Sequence, residues 1–120
     1  MTNEEINHRL ATEVMGWDVV TKNNRLWRRM QYKNPNMGTY LEPIDRGGRL
    51  FWSPTDDEHL HQTMMCVEKM VADGFRFSLN NGQLDKKLWL CVIGSSCKKD
   101  YSPALAICKA IIEALDSRSE

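Results

Sequence analysis

Phe51-Trp52-Ser53-Pro54-Thr55-Asp56 and Tyr101-Ser102-Pro103-Ala104 are two versions of one short construction, and their reading decides how the chain is partitioned. In each, an aromatic residue is followed by Ser-Pro and then by an amphipathic run. A serine at the N-cap accepts a hydrogen bond from an orphan backbone N–H. A proline at the first helical position gives up nothing, because its missing N–H would have no partner there. Each construction therefore predicts a helix start. Both set a positive helix end beside a flat apolar ring, a combination suited to a phosphate together with a base or a ribose.

Outward from Ser53, the spacing predicts a helix from Thr55 to Asp73, with Leu60, Met64, Val67 and Val71 on its apolar face and Gly74 as its stop. Asp56, Asp57 and Glu58 in its first turn complement the helix dipole. From Ser102-Pro103 a last helix runs to about Asp116. There Leu105, Ile107, Cys108, Ile111, Ile112 and Leu115 leave a narrow polar strip at Lys109, Glu113 and Asp116. So much apolar surface requires either a second packed layer or a subunit contact. Between the two helices, Phe75, Phe77 and Leu79 alternate with Arg76 and Ser78, the period of a strand with one apolar face. Asn80-Asn81-Gly82 reads as a turn, Leu88 to Ile93 as an inner strand covered by helices on both sides, and Gly94 to Asp100 as a polar loop.

On the N-terminal side, Thr2 with Glu5 forms a capping box, Ile6, Leu10 and Val14 share a face, and Gly16 ends a helix over residues 3 to 15. Trp17 to Thr21 reads as a strand, Asn23-Asn24 as a turn and Leu26 to Tyr32 as a second extended segment. Lys33 to Arg49, rich in Asn, Pro and Gly, reads as a long loop, either mobile or functional, that carries Tyr40, Arg46 and Arg49. The order α-β-β-α-β-β-α predicts an α+β fold, a small α/β/α sandwich with a short, mostly antiparallel sheet between helices.

At 120 residues the chain is expected to be one domain, 1–120, with one core. Its 16 Lys+Arg balance 16 Asp+Glu, so no global field argues for DNA or an anionic membrane, and any anion must be held locally. No apolar run approaches the roughly 20 residues needed to span a bilayer, and the N-terminus is polar and acidic, so a cytoplasmic protein is expected. Cys66, Cys91, Cys97 and Cys108 contain no C-x-x-C pair and read as reduced thiols rather than as a zinc site or disulfides.

Catalytic constellations are sparse. His59 and His61 stand two apart on a predicted helix, about 200° round its axis, and cannot share a metal as an i, i+4 pair would. There is no H-E-x-x-H, G-x-S-x-G or Walker loop. No enzyme, cofactor or metal is expected. Aromatics and cations are instead concentrated in extended and loop segments. A nucleobase stacks on such rings for about 1–3 kcal/mol, and arginine meets phosphate with paired charge-assisted bonds.

The opening EEINHRLATEVMGW (Glu4 to Trp17), the central FWSPTDDEHL followed by VEKM, and the closing YSPALAICKAIIEAL together resemble the phage ABA-sandwich domain family, in that family's order and over nearly the whole chain. Some of its members are similar to the Thoeris anti-defence sponges, which bind the cyclic ADP-ribose signal of bacterial TIR enzymes without cleaving it. The resemblance implies a phage protein in the host cytoplasm, assembled as a dimer or hexamer with ligand pockets shared between neighbours. It implies a cyclic ADP-ribose isomer or a cyclic oligonucleotide as ligand.

Residue type and position then nominate the binding set: Trp27, Arg28 and Arg29 from the second extended segment; Arg76, Phe77, Asn80 and Asn81 after the middle helix; Lys98, Lys99, Tyr101 and Ser102 before the last. Cations would hold the diphosphate, rings the adenine, and asparagines the ribose hydroxyls. Two other readings stand beside this one. The first is a protein-interaction or structural module with no nucleotide ligand, its partner surface on the last helix at Ile111. The second is a hydrolase built around His59, His61 and Asp56.

Overall fold

The computed structural model describes residues 1–45 and 49–118, so Arg46 lies outside the described residues. Helix α1 (Asn3–Arg9) opens as the capping box requires, with the Glu5 N–H donating to Thr2 Oγ1 at 3.2 Å. It runs on through one wider π turn, Leu10–Val14, where the Met15 N–H reaches back to the Leu10 carbonyl at 2.9 Å. Gly16, at φ +71, then takes the left-handed conformation that ends the helix.

Strands β1 (Val19–Lys22), β2 (Arg25–Gln31) and β3 (Thr39–Pro43) form one antiparallel meander in the order β1-β2-β3. Asn23 and Asn24, at φ +54 and +59, supply the two left-handed positions of a tight hairpin turn. β3 occupies part of the segment expected to be a loop. Pro35–Met37 makes a short 3-10 turn, after which Thr39, Tyr40 and Leu41 pair with Gln31, Met30 and Arg29.

The second half repeats the layout as a separate sheet. Strands β4 (Phe77–Asn81), β5 (Trp89–Ile93) and β6 (Ser96–Asp100) run in the order β4-β5-β6, with β5 in the middle as expected. Asn80 and Asn81, expected in a turn, instead pair with Leu90 and Trp89. β6, expected as a polar loop, is a strand paired along its length with β5, and its charges on the covered side find partners on the covering helix. Lys98 Nζ lies 2.6 Å from Glu113 Oε2, and Lys109 Nζ lies 2.7 Å from Asp100 Oδ2. The class is therefore α+β, in the order α-β-β-β-α-β-β-β-α, with two three-stranded antiparallel sheets where one was expected.

Helix α3 (Pro103–Arg118) lies along β5 and β6, with α1 and helix α2 (Leu60–Ala72) packed against it. Its apolar surface is consumed within the protomer, since Ile107 and Ile111 are 1% and 0% exposed. The second packed layer accounts for it, and a subunit contact at Ile111 is not required. Among the described residues only one face of the second sheet is covered, where helices on both sides of β5 were expected: Cys91 and Ile93 are buried, whereas Leu90 and Val92, on the other face, are half-buried.

The buried face of α2 also differs from the expected one. Thr63, Cys66, Val67 and Met70 point inward, while Leu60, Met64 and Val71 are 39%, 38% and 50% exposed. The first sheet is an arm. The molecule measures 56 × 29 × 24 Å, and its radius of gyration of 15.7 Å exceeds the roughly 14 Å of a compact chain this long. Every residue from Gln31 to Tyr40 is exposed, and the Tyr32 and Tyr40 rings pack together 4.6 Å apart at the far end.

Candidate functional site

The Ser-Pro construction behaves as predicted at α3 and differently at α2. Ser102 Oγ accepts from the Leu105 N–H at 3.2 Å, with Pro103 as the first helical residue. Before α2, by contrast, Ser53-Pro54 forms a strap held by the helix that follows it. Gln62, which is buried, accepts from the Ser53 N–H through Oε1 at 2.6 Å and donates to the Phe51 carbonyl through Nε2 at 2.8 Å. The Thr63 hydroxyl donates to the Pro54 carbonyl at 2.6 Å. These bonds occupy the first turn of α2, so the chain enters it through a 3-10 turn at Asp57–His59, where Asp56 Oδ1 accepts from the Glu58 N–H at 2.9 Å.

The strap brings the two helix starts together. Asp57 Oδ1 accepts from Ser102 Oγ at 2.8 Å and from the Ala104 N–H at 3.0 Å, so a carboxylate already satisfies the positive end of α3. That corrects the expectation of an open anion site there. On the opposite side, Trp52 Nε1 donates to the Asn7 carbonyl at 2.8 Å, and the Thr55 N–H donates to Asn7 Oδ1 at 3.2 Å.

Between α1, the strap and the start of α3 lies a cavity of about 590 Å³, within the range of small-molecule sites. Phe51 and Trp52 supply its aromatic wall, and Glu4, Asp45, Asp56 and Asp57 its acidic one. Among the described residues its lining contains no lysine or arginine. The hydrogen bond from Arg25, reinforced by the Leu26 N–H, holds the Asp45 carboxyl below the usual carboxylate range.

No family model, curated protein or solved structure matches this chain.

Of the nominated binding residues, Ser102 alone lines this cavity. Trp27 is half-buried and donates from Nε1 to the Lys22 carbonyl at 3.0 Å. Arg28 sits over the Trp17 ring, 4.0 Å from its centre, and Arg29 pairs with Asp18 at 3.0 Å. Phe77 packs against the core, and Asn81 Nδ2 donates to the Lys86 carbonyl at 2.8 Å. Lys98 lines a second, shallower cavity of about 440 Å³ beside α3, where it is paired with Glu113.

Tyr101 is exposed, with its hydroxyl on Asp85, which raises its pKa. Arg76 is exposed just ahead of β4. Asn80 and Lys99 are exposed on either side of Leu90, on the face of the second sheet turned from α3. Strand alternation thus divides the set between two faces, and its first three members belong to the other sheet.

Sequence reasoning missed Asn7, His8, Ile44 and Asp45, which line the cavity from distant elements and carry no local signal. It did single out Phe51 and Trp52.

The hydrolase residues are placed differently from expectation. His59 precedes α2 rather than lying on it, so its ring comes within 5.9 Å of His61 and packs edge-on against Phe51. Among the described residues no three His, Cys, Asp or Glu side chains are grouped to hold a metal. Burial pushes the Cys66 and Cys91 thiols up to about 12, and Cys108 well above the usual thiol value. Among the described residues no helix is long and apolar enough to cross a membrane.

Proposed function

We propose that this chain is a phage anti-defence sponge that retains a nucleotide immune signal of the cyclic ADP-ribose class without cleaving it, so blocking TIR-based Thoeris signalling in the host cytoplasm. The observation that carries the reading is the 590 Å³ cavity between α1, the Phe51–Asp57 strap and the start of α3, walled by rings and hydrogen-bonding groups. The strap around it is fixed by Gln62, Thr63 and Asn7, giving a site whose shape is set before ligand arrives. The resemblance of the three helix-bearing motifs to the ABA-sandwich family supplies the ligand class. For a signal at micromolar level, a nanomolar site, about −12 kcal/mol, keeps the free signal low.

Incubation with cyclic ADP-ribose isomers, removal of unbound ligand and heat release tests it. Recovery of intact ligand at one per site is expected. Recovery of a cleaved product would make the protein an enzyme, and no retention would reject sequestration.

The projecting arm favours a second reading, in which the chain acts as an interaction module or assembles as a dimer or hexamer. Tyr32, Met37 and Tyr40, 40%, 62% and 38% exposed, offer apolar surface at its end. Replacing all three with serine shifts the mass measured by light scattering to that of one protomer if this surface joins copies. An unchanged mass rejects it.

A further inference from the structure

The 590 Å³ cavity sets four carboxylates, Glu4, Asp45, Asp56 and Asp57, beside Asn3, Asn7, His8, Ser53, Thr55 and Ser102, with no lysine or arginine in its lining among the described residues. From this we infer that the cavity interior takes the uncharged, donor-rich part of its ligand, the ribose diol or exocyclic amine of a nucleoside, and leaves phosphate outside at its mouth. The inference deepens the sequestration reading and rests on the same site.

A carboxylate is an acceptor only, so each free oxygen selects an O–H or N–H. Asp45 is already occupied by Arg25 and the Leu26 N–H, and Asp57 Oδ1 by Ser102 and Ala104. Asp56 spends Oδ1 on the Glu58 N–H, which leaves the second oxygens of Asp56 and Asp57, and both oxygens of Glu4, to a ligand. Two adjacent hydroxyls of a ribose match that need. A diphosphate finds the opposite: four carboxylates of like charge on the wall, and the backbone donors at the start of α3 already engaged, Ser102 by Asp100, Ala104 by Asp57 and Leu105 by the Ser102 hydroxyl.

The test is titration of the intact protein with adenosine, cyclic ADP-ribose and inorganic pyrophosphate, followed by amide chemical shifts and calorimetry at low and high salt. Adenosine is expected to shift the amides of Asn7, Phe51 and Ser102, with an affinity nearly independent of salt. Pyrophosphate is expected not to displace it. Glu4→Gln and Asp56→Asn, both conservative at exposed or half-exposed positions, are each expected to weaken adenosine by about tenfold.

Displacement by pyrophosphate, a steep loss of affinity with salt, or no response to adenosine at millimolar concentration overturns the inference. Binding of adenosine without cyclic ADP-ribose sinks the sequestration reading and supports this one. Retention of cyclic ADP-ribose that pyrophosphate competes away does the reverse.

Discussion

Asp57→Ala tests whether the two helix starts are joined as the structure shows. The substitution removes the acceptor for the Ala104 N–H at 3.0 Å, the partner of the Ser102 hydroxyl at 2.8 Å, and a negative charge at the positive end of α3. A lost cap bond costs about 1 kcal/mol, the charge at the helix end about 0.5 kcal/mol at an exposed site, and the hydroxyl bond about 0.5 kcal/mol. The expected loss is about 2 kcal/mol, or roughly 8 °C in Tm for a domain of this size.

Urea unfolding should show it as a lower midpoint with an unchanged slope. Asp57→Asn keeps one acceptor and should lose about half as much. In a double-mutant cycle with Ser102→Ala, the coupling should be about 0.5–1 kcal/mol. Because Asp57→Ala frees the Ala104 N–H, added phosphate should restore part of its stability and leave the parent unaffected. A loss under 0.5 kcal/mol, or equal losses in the Asn and Ala variants, would refute the reasoning.

Thiol titration at neutral pH should label Cys97 alone, because Cys66, Cys91 and Cys108 are buried with raised pKa values, and all four should react in denaturant. Ile111, fully buried on α3, should cost about 2–5 kcal/mol when cut to alanine, read by denaturant unfolding. For acid stability, burial raises the Asp100 carboxyl, but the bonds from Lys109 and the Ser102 N–H outweigh it and leave the net pKa below the ordinary value. A depressed folded-state pKa stabilises above the unfolded value and stops doing so as pH falls through the folded one. Asp100→Asn should therefore be less stable than the parent at pH 7, and the gap should close below about pH 4.

Where local chemistry specifies the backbone, the chain was readable. The Thr2 capping box, the Asn23-Asn24 turn, the Ser102-Pro103 start and the central place of β5 in its sheet all stand as the residues dictate, whereas the second covering layer that its apolar run led one to expect is not there among the described residues. β6 does not read as a strand because Lys98, Lys99 and Asp100 give it no apolar face; Lys98 and Asp100 lie on the α3 side of the strand and pair there with Glu113 and Lys109. The rotation of α2 was missed because Gln62 and Thr63 look like surface residues until the strap they hold is known. The site followed the same rule. Phe51 and Trp52 announced it, but Asn7 and Asp45 reach it from segments far away in the sequence.

Each sheet is built from three consecutive strands joined in chain order. Such ladders close short loops, so neither half must wait for a distant segment before its strands can align, and rapid formation follows from low contact order. The ribbon beyond β1, held by one pair of strands and no helix, should open on its own, with its amides exchanging long before those of β5. A slow exchange rate along Met30 to Leu41 in the isolated chain would mean that something else is holding it closed.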